Sequence, residues 1–157
     1  MTFKAVVVIA IVVAALSGLF YYQATREVEA IRRLGIEIAD ASITRLGLFS
    51  CDIAIKLNYT NPLDYDTPTF RVSNYSIYVN GELVGTSSAP PTKVAARSTV
   101  YQDLTVTIEY AKVSKALVDA LREGKIVVEV RGEVKAKVLF GLLEVSAPFT
   151  STYSIRE

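Results

Sequence analysis

Residues 5–22 (AVVVIAIVVAALSGLFYY) carry no charged side chain across eighteen positions. At about 1.5 Å of rise per residue such a helix covers roughly 27 Å, close to the about 30 Å of a bilayer's hydrocarbon core. Phe20, Tyr21 and Tyr22 close the run, where an aromatic belt meets lipid headgroups. Residues 23–34 (QATREVEAIRRL) continue at helical spacing to a stop at Gly35. From Ile36 the period falls from 3.6 to 2. Ile36 and Ile38 are in phase with each other and out of phase with Ala41 and Ile43, which predicts a bulge or break in the first strand.

Ile53, Ile55, Leu57 and Tyr59 alternate with polar positions until Asn61-Pro62 ends that strand. Tyr75, Ile77 and Val79 share one face of the next, and Asn80-Gly81 then predicts a tight hairpin, since both turn positions need positive φ. Two further strands follow, one through Val100, Gln102, Leu104, Val106 and Ile108, the other from Ile126 to Ala136. Between them Val113, Ala116, Leu117, Ala120 and Leu121 recur at helical spacing, closed by Gly124. A last strand covers residues 142–155, and Pro148 confines its middle to a sheet edge or a bulge. Seven or so antiparallel strands of this spacing predict a mainly β, fibronectin-III/immunoglobulin-like sandwich with one side helix. The organisation expected is a transmembrane anchor over residues 1–22, a helical stalk over 23–35 and a sandwich over 36–157.

A buried soluble helix would need a core on all sides that so short a chain cannot supply; the better rival is a cleaved signal peptide with Lys4 as its basic region and a cut after Ala15-Leu16-Ser17. The apolar run continues past that point to Tyr22 without a helix-breaking region, which favours an uncleaved, single-pass anchor held in the bilayer through residues 5–22. Counting Lys4 against Arg26, Arg32 and Arg33 would place the body in the cytoplasm. Glu27 and Glu29 offset those arginines, and a four-residue tail stays inside more naturally than it translocates, so the body is expected outside the cytoplasm.

Composition removes most chemistries. Of 17 basic side chains only Lys4 precedes Arg26, so the body balances 16 of them against 16 acids and has no electrostatic reason to bind nucleic acid. The absence of histidine excludes a Ser-His-Asp or Cys-His pair and the commonest metal ligand. Cys51 is the single cysteine, so neither an intrachain disulfide nor a thiolate zinc site can form. No phosphate-binding lysine loop, dinucleotide glycine fingerprint or GxSxG elbow occurs. Asp64 and Asp66 share a loop but fall short of the six to eight oxygens that calcium takes, and turn formation accounts for them. Cys51 reads as a small packed residue. No catalytic residue, cofactor or metal is expected.

The order and spacing of these motifs resemble one family. Asn61-Pro62, the hairpin Tyr75-Ser76-Ile77-Tyr78-Val79-Asn80-Gly81-Glu82-Leu83-Val84-Gly85, then Thr105-Val106-Thr107-Ile108 before a short helix, and Val130-Arg131-Gly132-Glu133-Val134 are similar to the LEA14-like group. These are late-embryogenesis-abundant type 2 proteins with a WHy (water stress and hypersensitive response) domain. The resemblance covers about residues 36–157. It implies a fibronectin-III-like sandwich, an association with stress or desiccation, frequent single N-terminal spans and no catalytic residue set. The motif residues Asn61, Pro62, Asn80, Gly81 and Gly132 have structural readings. Pro62 ends ladder pairing, Asn80-Gly81 sets hairpin register, and Gly132 permits close approach in a packed strand.

Asn58-Tyr59-Thr60 and Asn74-Tyr75-Ser76 are N-glycosylation sequons if the body is translocated, and alternation turns both Asn58 and Asn74 outward. Two function classes follow. One is a non-enzymatic, membrane-anchored LEA14-like module that binds or protects membrane or protein surfaces under stress. The other is an accessory subunit of a larger membrane assembly, its span packing through Ala14, Ala15, Ser17 and Gly18.

Overall fold

The computed structural model describes residues 2–156. A single helix, α1 (Phe3–Arg32), leads into ten-to-fourteen-residue strands interrupted by one short strand and one short helix. In chain order these are β1 (Gly35–Leu46), β2 (Ser50–Thr60), β3 (Phe70–Val79), β4 (Glu82–Ser87), β5 (Thr99–Glu109), α2 (Lys115–Glu123), β6 (Lys125–Val138) and β7 (Leu143–Arg156). One turn of 3-10 helix, Tyr110–Lys112, joins β5 to α2. The strands form two antiparallel sheets of order β1-β2-β5 and β4-β3-β6-β7, packed face to face as a sandwich.

Alternation explains the core. Ile53, Ile55, Leu57 and Tyr59 of β2 face Val72, Tyr75, Ile77 and Val79 of β3, all buried, while the intervening positions face outward. The predicted break in the first strand is a register shift between Ile38 and Asp40, which brings both Ile38 and Ala41 inward. A second bulge has no counterpart in the expected pattern. β3 slips against β6 between Ser73 and Ser76, with Asn74 at φ 56°, so that Val72 and Tyr75, three apart, both reach the core.

The turns follow local chemistry. Asn80 (φ 50°) and Gly81 (φ 83°) make the β3–β4 hairpin, and the Asn80 side chain accepts from the Val127 N–H at 2.8 Å. Ser114 caps α2 by accepting from the Leu117 N–H, and Gly124 ends it at φ 72°. β7 is an edge strand, the position in a sheet that tolerates the missing N–H of Pro148. Gly132 leaves room for the ring that covers it from β7: a Cβ there would lie 2.7 Å from Phe149 Cε1, so the ring would have to move.

The register defines two ends. Gly35, Thr60 and Thr99 lie at the α1 end, as does the β6–β7 turn after Val138, while the β1–β2 turn, the Asn80-Gly81 hairpin and α2 lie at the other.

Candidate functional site

The residues singled out in the sequence do not converge. Asn61 and Pro62 sit at the α1 end, Asn80 and Gly81 at the far end, and Gly132 in mid-sheet between them. Asn58 is half-buried on β2 opposite Glu37 and Tyr101, whereas Asn74 is exposed on the β3 bulge. Among the described residues no group of three or more acidic or cysteine side chains is arranged to hold a metal ion. Asp66, one of the two loop acids, accepts from the Ala96 N–H at 2.9 Å and thereby ties the β2–β3 loop to the β4–β5 loop.

Asn61 is the centre of that loop pair. It is fully buried, and its amide donates to the carbonyls of Tyr65 (2.8 Å), Ala95 (3.2 Å) and Val94 (3.3 Å) while its oxygen accepts from the Leu63 N–H (3.1 Å). Thr67, also buried, accepts from the Val94 N–H at 3.0 Å. Only a primary amide offers both a forked donor and an acceptor in this volume, so Asn61 assembles the loops rather than meeting a ligand.

Every resolved titration shift has a local cause. Burial pushes the Cys51 thiol up, so it is a packed hydrophobe and not a nucleophile. The Thr107 hydroxyl, donating at 2.7 Å, and the Arg45 guanidinium at 2.9 Å hold the Asp52 carboxyl below the ordinary carboxylate value. Glu129 raises its neighbour Arg131, which also lies over the Tyr78 ring. Burial raises both Tyr59 and Tyr75, whose hydroxyls meet inside the core with Gln102 as their partner. The inward phase of Gln102, Tyr59 and Tyr75 was legible in the sequence, but their meeting across the two sheets was not.

The feature that sets this chain apart from a free sandwich is the α1 junction. The last turn of α1 is part of the core: Ala30 is fully buried and Ile31 is 1% exposed. Higher up the helix, Arg26 stacks on the Tyr65 ring with its guanidinium carbon 4.2 Å from the centroid. Glu27 Oε2 accepts from the Leu139 N–H of the β6–β7 turn at 2.8 Å. Phe20 meets Phe140 of the same turn edge-to-face, ring centroids 6.2 Å apart. The β2–β3 loop and the β6–β7 turn therefore both contact the helix, which runs unbroken from the apolar segment into the core. That segment is long and apolar enough to cross a membrane, and none of its eighteen-residue window is buried against the body.

Comparison with known proteins supports the same fold. The solution structure of AT1g01470 from Arabidopsis thaliana is similar to this chain with a TM-score of 0.59 at 19% identity, covering 80% of this chain and 82% of that one. The solution structure of the late embryogenesis abundant (LEA) protein At2g46140.1 is similar with a TM-score of 0.53 at 14% identity, covering 98% of this chain and 88% of that one. No curated protein sequence matches the chain. The family model described as late embryogenesis abundant protein matches residues 56–152, from the outward-facing Lys56 of β2 to Thr152 of β7 and so including the Asn61 loops, the Asn80-Gly81 hairpin and Gly132. The chain belongs to the late embryogenesis abundant protein family LEA_2.

Proposed function

We propose that this chain is a single-pass, non-enzymatic LEA module that holds a rigid sandwich against a membrane and binds or shields membrane or protein surfaces under stress. The observation that carries the reading is the continuity of α1, whose apolar window is wholly unburied while its last turn is built into the core. A soluble helix of this composition would leave its apolar surface in water, which burial at about 25 cal/mol per Å² strongly disfavours. A bilayer removes that cost. The fully folded body separates this mode of action from disordered protectants, which lack a core. Among the described residues no group of three or more acidic or cysteine side chains converges, and the bilayer is the primary partner, met through residues 5–22. The body lies on the extracytoplasmic side, where the exposed Asn74 would accept a glycan in a glycosylating host.

The test is reconstitution of the full chain into vesicles, followed by drying, rehydration and measurement of trapped dye. Vesicles carrying the full chain should retain several-fold more dye than vesicles carrying α1 alone. Equal leakage would remove the protective role, and recovery of the chain in the alkaline-carbonate supernatant would remove the anchor.

One observation favours a second reading, that of an accessory subunit. Leu48 and Phe49, each 83% exposed, form an apolar tip on the β1–β2 turn at the end of the sandwich farthest from α1. Extraction in mild detergent separates the readings: a fixed-ratio complex supports a subunit, a particle of this chain alone supports the independent module.

A further inference from the structure

We propose that the β6–β7 turn, Leu139-Phe140-Gly141-Leu142 with Leu143, is a second membrane-contacting element that enters the bilayer interface beside the span. The inference rests on the anchored reading of α1 and adds what α1 alone does not specify, the depth and tilt of the sandwich. Depth follows from one contact. Phe20 lies inside the uncharged run that ends at Tyr22, and helical side chains lean toward the N-terminus, so its ring points into the apolar zone. Phe140 touches that ring. Phe20 precedes Ile31 by eleven residues, about 16 Å of helix, so the turn extends well past the helix end that is buried in the core and reaches the level of the span.

The turn's chemistry fits that level. Phe140 is 87% exposed, Leu142 77% and Leu143 55%, an apolar cluster that water disfavours and the interface accepts. Leu139 and Phe140 hold φ of 51° and 56°, a region for which the Asn80-Gly81 hairpin at the opposite end uses asparagine and glycine. Apolar residues thus occupy positions where polar turn formers would be easier locally. Glu27, accepting from the Leu139 N–H, pins the turn to the helix.

Charge completes the match. Beside Phe140 runs a groove of about 770 Å³ lined by Arg71, Lys135 and Lys137 together with Glu27 and Glu144. The three basic side chains make no ion pair among the described residues. Lys137 and Lys135 stand two and four residues before Leu139 on β6, and Arg71 pairs with Lys135 on β3, so all three lie on the body side of the apolar turn, where lipid phosphates lie when Phe140 is at the headgroup–acyl boundary. The occupant is therefore a lipid surface, apolar below and anionic above.

The experiment uses the full chain with Cys51→Ala, reconstituted into phosphatidylcholine/phosphatidylglycerol vesicles. Single cysteines carrying an environment-sensitive dye replace Phe140, Leu142, Leu48 or, in the span, Val12. Lipids bearing a shallow nitroxide and aqueous iodide serve as quenchers. The expected result is that Phe140→Cys and Leu142→Cys are quenched several-fold more by the lipid nitroxide than Leu48→Cys, and are shielded from iodide. Iodide quenching at both turn positions equal to that at Leu48→Cys, with the Val12→Cys dye shielded, would overturn the second contact while leaving the anchor intact. An iodide-accessible dye at Val12 would overturn both, and circular dichroism of each variant checks that the sandwich is folded.

Discussion

Tyr59 and Tyr75 place their phenolic oxygens against each other in the middle of the sandwich, one from each sheet, and Gln102 Oε1 accepts from Tyr59 at 2.7 Å. Tyr59 spends its single hydroxyl proton on Gln102, which leaves its oxygen to accept from Tyr75, so the two sheets share a satisfied polar chain within an apolar core. Tyr59→Phe leaves Tyr75 with only the 3.3 Å contact to Gln102 and should cost about 1–3 kcal/mol. Tyr75→Phe removes only the terminal donor and should cost less, about 0.5–1.5 kcal/mol. Thermal melts of the full chain in detergent check the order of the two, and the double variant should be non-additive.

The same pair sets an alkaline limit. Burial keeps both phenols neutral in the fold, with affinities for the proton raised above the ordinary value of 10.0. The unfolded chain ionises first, so stability is fully present below that value and falls as pH rises above it. Denaturation midpoints followed from neutral pH upward should decline beyond about pH 10, and less steeply in Tyr75→Phe.

Asn61→Ala should destabilise by about 3 kcal/mol, because three carbonyls and the Leu63 N–H lose their partner in a buried site. Asn61→Asp should be no better, since a carboxylate then faces three carbonyl oxygens. Hydrogen exchange is expected to accelerate first in residues 61–69 and 88–98, the loops that Asn61 joins.

Gly132→Ala forces a methyl to 2.7 Å from the Phe149 ring and should cost about 1–3 kcal/mol. Phe149→Leu vacates that space, so the double variant should be more stable than the two single costs predict. Additive costs in a double-mutant cycle would break the proposed contact.

Asp52 gives a smaller and more local signal. Thr107→Val removes the main hydrogen bond that lowers its carboxyl, so its titration followed by NMR should move up toward 3.8. The stabilisation from Asp52 is present above the ordinary carboxylate value and is lost as pH falls, and this loss should shrink in the variant.

How much of this was legible follows from the range of each interaction. Period-2 alternation, the Asn80-Gly81 turn, the Gly124 stop and the bulge after Ile38 depend on neighbours a few residues apart, so the sequence alone determined a mainly β body, its strand order along the chain and its turn positions. The uncharged run over residues 5–22 likewise needed only length and composition to mark a segment able to cross a membrane. The β3 bulge at Asn74 was hidden because it answers to the opposing register of β6. Gln102 was recognisably inward, yet its partners lie 43 and 27 residues away. The grip of the β6–β7 turn on α1 spans more than one hundred residues, as the 112-residue separation of Glu27 and Leu139 records. Local chemistry determined the elements, and tertiary packing alone decided that the last turn of α1 is built into the core and that Phe140 stands beside Phe20, because those contacts exist only once both sheets have closed.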